Sequence, residues 1–158
     1  MAICCNGTTA QERVLGIVNC PAHNERWIGI KNKKTKCNGK EVQTSTIKQI
    51  KDAYLFTSGL YFDEPQIRKG LELLKEKSRY YRLGGDCYMY GMLASGLIDI
   101  VLEDTLKVHD YMALVNVIEG AGGVITDKFG HDISLNSDGS LVASSTSSLH
   151  DEIIKLIN

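Results

Sequence analysis

No stretch of this 158-residue sequence stays apolar for long: charge or glycine interrupts every run well before the roughly 18 residues that cross a bilayer. Met1 is not followed by a basic region and a cleavable apolar segment, so the sequence reads as a cytoplasmic protein with no membrane partner. Charge of one sign is also missing. Eighteen Lys and Arg face 19 Asp and Glu, a formal net charge of -1, which leaves no electrostatic footprint for a nucleic-acid partner. The cluster Lys31, Lys33, Lys34, Lys36 is too local to make one and reads as a solvated turn. The five cysteines, Cys4, Cys5, Cys20, Cys37 and Cys87, are odd in number and without CxxC spacing, which argues against a zinc site and a closed disulfide framework. They read as reduced thiols. His23, His109, His131 and His150 are scattered, and no repeat or low-complexity tract occurs.

What remains is a chain, 43% hydrophobic and 23% charged, able to bury the core of one ordinary domain. Met1 to Cys5, Arg13 to Asn19 and Arg26 to Ile30 read as strands between turn-forming Asn-Gly, Cys-Pro and Asn-Lys pairs, an antiparallel meander. Ala53 to Thr57 is a further apolar run that stops at Ser58-Gly59. Asp63-Glu64-Pro65-Gln66 then combines a capping aspartate with an early-turn proline, and Ile67, Leu71 and Leu74 continue at helical spacing through Glu76. A strand from Tyr80 ends at Leu83-Gly84-Gly85, and Asp86 opens a buried helix. Ile98 to Leu102 is a strand, and Asp110 begins a second, very apolar helix that ends at Gly120-Ala121-Gly122-Gly123. Strands at Val124 to Thr126 and Leu141 to Ala143 follow, then a last helix with Ser148 and Asp151 as a capping box. The fold class is α/β, an α+β layered sandwich: residues 1–62 as part of a central antiparallel sheet, residues 63–158 as an α/β subdomain.

The candidate chemistry lies between Gly84 and Asp127. Asp110 sits where strand and turn hand over to a helix, so its carboxylate can point into a crevice, or it can simply be an N-cap. Glu103 and Asp104 are either site groups or turn residues. Asp86 is either a site group or a cap, and Gly122-Gly123 either approaches a ligand or stops a helix.

The ordered string Gly84-Gly85-Asp86-Cys87-Tyr88, Leu93-Ala94-Ser95-Gly96, Asp99, Glu103, Leu106-Lys107, Asp110-Tyr111, Ala113-Leu114 and Glu119 through Asp127 resembles the C-terminal signature of the inositol monophosphatase superfamily, above all its histidinol-phosphatase branch. The tail is similar through Gly130, Ser137-Asp138-Gly139 and Leu149-His150. The front is similar through Ile3 to Cys5, Asn6-Gly7, Val14 to Val18, Pro21 and Glu25-Arg26-Trp27, as part of that family's central sheet. The resemblance implies that Asp110 is a metal ligand, that Gly84, Gly85, Asp86 and Asp110 line the substrate pocket, and that Glu103 contacts the non-phosphate part of the substrate. It implies magnesium as cofactor.

Two elements of the family's pattern do not occur in these residues: a glutamate-bearing metal element and an Asp-Pro-(Ile/Leu)-Asp-Gly-Thr motif. Asp63-Glu64-Pro65 lacks the Asp-Gly-Thr continuation, and Gly7-Thr8 lacks the aspartates. Magnesium is usually held by more than one carboxylate, so Asp110 alone is expected to bind it weakly, with no complete catalytic set and little or no phosphatase activity. The expectation is a C-terminal part of a phosphomonoesterase. Its partners would be a small phosphomonoester, a complementing N-terminal fragment and, as one option, a second copy of the chain in a homodimer. The extra carboxylates Asp86 and Glu103 favour a cationic alcohol, so histidinol phosphate is the first candidate, ahead of inositol monophosphate or a 3'-phosphorylated nucleotide. A non-catalytic remnant and a pure interaction module are the alternatives from other classes.

Overall fold

The computed structural model describes residues 2–6, 13–59 and 62–158, without the side chains of Ala2–Asn6. The Asn6-Gly7 turn, the Gly7-Thr8 pair, Met1 and the thiols of Cys4 and Cys5 lie outside what it describes. The first five strands, β1 (Ala2–Asn6), β2 (Arg13–Cys20), β3 (Glu25–Ile30), β4 (Lys36–Cys37) and β5 (Lys40–Glu41), form one antiparallel sheet in that order. The meander read from the sequence is therefore present, extended by a short hairpin at its end. Of the lysine cluster, Lys31 and Lys33 flank the turn before that hairpin, Lys34 pairs with Glu41 at 3.3 Å, and Lys36 opens β4.

The chain then changes layer. β6 (Tyr54–Thr57), α1 (Pro65–Lys77), β7 (Tyr80–Leu83), α2 (Cys87–Ala94), β8 (Ile100–Glu103), α3 (Val108–Glu119), β9 (Val124–Thr126), β10 (Leu141–Ser144) and α4 (Ser147–Ile157) complete it. Their strands make a second, mixed sheet ordered β7-β6-β8-β10-β9, in which β6 is parallel to β7 and β8, and β10 is antiparallel to β8 and β9. β6 thus belongs to the second sheet although it precedes residue 62.

Strand alternation assigns the layers. In β8, Ile100 and Leu102 join Leu55 and Val142 under Ile67, Leu71 and Leu74 of α1 and Leu149, Ile153 and Ile157 of α4. Val101, on the other face, joins Ala143 and Ile125 in the core built with α2 and α3. Those two helices are sandwiched between the sheets, so α3 has no solvent face of any width, and its residues from Tyr111 to Ile118 are all buried. The close approach of α3 to the first sheet depends on glycine: a Cβ at Gly16 would come within 1.9 Å of the Ala113 carbonyl oxygen, and one at Gly29 within 2.3 Å of that of Asn116. α2 is seated in the same way, with Gly91 against the Trp27 ring, whose indole N–H donates to Ser95 Oγ at 2.9 Å.

Besides one-residue shifts at the ends of β2, β3, β6, β8, β10 and α1, the starts of four elements differ from the sequence reading. α1 is capped at Glu64 and not at Asp63; Pro65 occupies the first turn and the Glu64 N–H is taken by the Asp104 carboxylate at 2.9 Å. β8 starts two residues later than Ile98, because Asp99 is buried and its carboxylate accepts the Tyr54 N–H at 2.8 Å, in place of strand pairing. α4 is capped by the Thr146 hydroxyl, which accepts the Leu149 N–H at 3.2 Å, so Ser148 lies inside the helix. α3 begins at Val108, which puts Asp110 in its first turn and not at its cap.

Candidate functional site

Three neighbouring parallel strands, β7, β6 and β8, end side by side, and the residues that follow or close them make one cleft. Crevices at the carboxyl ends of parallel strands collect ligands because the connecting loops and helix starts point there. Ser58 follows β6, Gly84-Gly85-Asp86 follow β7, and Glu103 is the last residue of β8. The first turn of α3 adds His109 and Asp110. The cleft has a volume of about 560 Å³; its polar wall is Ser58, Asp86, Tyr90, Glu103, His109 and Asp110, and Met89, Leu106 and Leu114 supply apolar floor.

The β7–α2 turn is conformationally demanding. Gly84 and Gly85 have φ of 91° and 126°, and Asp86 continues at φ 43°, ψ -134°. Nothing lies within 4 Å of a Cβ at Gly84, so the requirement there is backbone conformation and not space. Asp86 carries a side chain in a region that non-glycine residues avoid, and its carboxylate makes no capping hydrogen bond to α2. That leaves an exposed carboxylate on the cleft wall, held by a turn that resists relaxation. Gly84 and Gly85 do not line the cleft themselves; they set the path that puts Asp86 there.

Glu103 is only 3% exposed. Its Oε1 accepts the Ser58 N–H at 2.5 Å and the Thr57 hydroxyl at 3.4 Å, and its Oε2 accepts the Ser58 hydroxyl at 2.5 Å. Burial pushes the carboxyl up from its ordinary range; the hydrogen bonds from Ser58 and Thr57 pull the other way, and the charge of Asp86 adds to the rise. Asp110 is held differently. One oxygen accepts the Lys107 N–H at 2.8 Å, and the other lies 3.6 Å from His109 Nε2. The side chain is 43% exposed and sits in the first turn of α3, where a negative charge is favoured by the helix dipole.

The sequence-derived candidates Asp86, Glu103 and Asp110 therefore meet in one cleft, and Asp104 does not join them, since it binds the start of α1. Gly122 and Gly123 end α3 next to Thr44, on a different part of the molecule. Ser58, Tyr90 and His109 were not among the sequence-derived candidates. Ser58 reads only as a strand stop until β6 is known to run parallel to β8. Tyr90 is hidden among the apolar residues of α2, and no spacing singles it out.

Among the described residues no three His, Cys, Asp or Glu side chains come together closely enough to hold an ion. Asp110 by itself does not amount to a magnesium site.

The inositol monophosphatase family model matches residues 1–158. The chain belongs to the inositol monophosphatase family. Among its family relatives, the protein named Bifunctional phosphatase IMPL2, chloroplastic, of Arabidopsis thaliana is 39% identical over 132 residues, covering 84% of this chain and 38% of the relative. A histidinol-phosphatase of Chlorobaculum parvum is 27% identical over 126 residues, covering 79% of this chain and 49% of its own length. Among solved structures, an inositol monophosphatase from Zymomonas mobilis superposes with a TM-score of 0.88 at 36% identity, over 92% of this chain and 57% of that one. The chain thus spans between about two fifths and three fifths of the length of these family members, and within that span it has their layered α/β fold. No helix among the described residues is long and apolar enough to cross a membrane.

Proposed function

We propose that this chain supplies the alcohol-binding wall of a metal-dependent phosphomonoesterase acting on a cationic substrate, histidinol phosphate first. The observation that carries the reading is the convergence of Asp86, Glu103 and Asp110 on one cleft with Ser58 and Tyr90. Three carboxylates around a bound phosphate ester repel further anionic groups and attract an ammonium or imidazolium, a demand that histidinol meets and inositol does not. In this proposal Asp110 is one of several magnesium ligands, Glu103 and Asp86 bind the substrate cation, and Gly84 and Gly85 position Asp86. Magnesium, when bound with further carboxylates, activates the attacking water and stabilises the leaving oxygen.

Those further carboxylates are proposed to come from a complementing segment of the kind the longer family members have room for. The first sheet offers a surface for it. Gly16, Val18, Trp27 and Gly29 face the central helices, so Leu15, Ile17, Ile28 and Ile30 alternate onto the opposite face, where Ile30 is exposed and the others are half-buried. A cytoplasmic setting accords with Cys20 and Cys37 standing outside any disulfide.

The test is an activity assay on the 158-residue chain with magnesium and L-histidinol phosphate, repeated after adding the N-terminal segment of a family member that carries the Asp-Pro-Ile-Asp-Gly-Thr type of motif. The expected outcome is no turnover alone and turnover on complementation, faster with histidinol phosphate than with inositol 1-phosphate. Robust hydrolysis by the chain alone, or a complemented enzyme that prefers inositol 1-phosphate, contradicts the reading.

A further inference from the structure

The Tyr90 hydroxyl is the one polar group of the cleft wall that is fully buried and hydrogen-bonded to nothing among the described residues. The residue is 2% exposed, its ring packed in the core between α2 and α3. Buried hydroxyls are normally paired, and one left over at the margin of a cavity points to a group that enters the cavity. The surroundings say which kind. The charges that act on the Tyr90 phenol are the carboxylates of Glu103 and Asp110, and Glu103 in turn feels Asp86. A ligand atom that reaches this oxygen does so in the field of those carboxylates, which favours N–H donors on a positive group. An ammonium carries three such donors and is small enough for the cleft floor. Burial and both carboxylates hold the phenol well above its ordinary pKa, so it stays a neutral hydroxyl, able to accept a hydrogen bond.

We propose that Tyr90 is a specificity residue of the cleft, its hydroxyl oxygen accepting one N–H from the ammonium group of a cationic phosphomonoester while Glu103 and Asp86 take the others. This rests on the reading of the cleft as the alcohol-binding side. Tyr90 completes, with the two carboxylates, an oxygen acceptor for each of the three N–H donors of an ammonium, and the carboxylate charge favours that cation over a neutral polyol.

The test uses the whole 158-residue chain and its Tyr90→Phe variant, titrated with L-histidinol and with myo-inositol by NMR, alongside thermal unfolding of both proteins without ligand. The expected result is that Tyr90→Phe weakens histidinol binding about tenfold to a hundredfold, a typical loss for one hydrogen bond to a charged group, and leaves the Tm unchanged or raised, because an unpartnered hydroxyl is removed. A structural role gives the opposite pattern: Tm falls and histidinol affinity is unchanged. Wild type that binds histidinol while the variant binds it equally well overturns the role of Tyr90 alone; wild type that does not bind histidinol overturns this role together with the reading of the cleft.

Discussion

Ser58 closes on Glu103 with both of its donors, the backbone N–H and the side-chain hydroxyl each at 2.5 Å from a different carboxylate oxygen. The pair ties the carboxyl ends of β6 and β8 together and fixes the orientation of a buried acid on the cleft wall. Glu103→Gln keeps the volume but turns one acceptor into a donor facing a Ser58 donor. The expected cost is about 1–3 kcal/mol, that of leaving a buried polar group unsatisfied. Urea unfolding of wild type and variant measures it, and an unchanged midpoint would show that Ser58 repacks freely.

Because burial raises the Glu103 carboxyl above its ordinary range, its charge is lost on acidification earlier than that of an exposed glutamate. Histidinol affinity is expected to fall as pH drops through that raised value, and the fall should be smaller in Glu103→Gln. Affinity measured from pH 7.5 to 4.5 in both proteins checks the sign.

His150 is buried between two hydroxyls, with Nδ1 2.9 Å from Ser144 Oγ and Nε2 2.8 Å from Thr126 Oγ1. Burial lowers its pKa to about 4, against the ordinary 6.5, the charge of Asp151 opposing only in part. The unfolded chain therefore takes up a proton between about pH 6.5 and 4 that the folded chain does not, so this contribution to stability is present above pH 6.5 and lost as pH falls towards 4. The gap of about 2.5 pH units, at 1.36 kcal/mol each, sets an upper value on the order of 3 kcal/mol. An NMR titration of the His150 ring should place its midpoint below 5; a midpoint near 6.5 excludes this mechanism.

Gly16→Ala and Gly29→Ala each push a methyl into a backbone carbonyl of α3, at 1.9 and 2.3 Å. Backbone cannot rotate away as a flexible side chain does, so α3 must lift from the first sheet. Losses of at least about 1–3 kcal/mol are expected for each, the usual range for overpacking. Urea unfolding of both variants against wild type measures them, and an unchanged midpoint would show that α3 shifts without cost.

Asp86→Gly should separate stability from binding. Glycine relieves the cost of φ 43°, ψ -134°, of order 1–3 kcal/mol, and part of this is returned as added freedom of the unfolded chain. A higher Tm with weaker histidinol binding is the expected pair of outcomes, whereas a lower Tm would mean that the Asp86 side chain stabilises the turn.

The sequence by itself determined the elements whose signals are local. Alternating apolar residues in β2 and β3, the proline in the first turn of α1, and the uniformly apolar face of α3 each follow from the chain's own periodicity and were legible without contacts. The family resemblance singled out Gly84, Gly85, Asp86, Glu103 and Asp110 as site candidates, and of these Asp86, Glu103 and Asp110 line one cleft. Caps and boundaries were less legible where they are settled by partners distant in sequence: Asp104 takes the Glu64 N–H and Asp99 takes the Tyr54 N–H. Only the tertiary structure decided that β6 leaves the first sheet to run parallel with β7 and β8. That pairing is non-local, and it alone brings Ser58 onto Glu103 and closes a cleft around the Tyr90 hydroxyl. Side-chain periodicity says which face of a strand is buried; which strands become neighbours depends on how whole faces pack together.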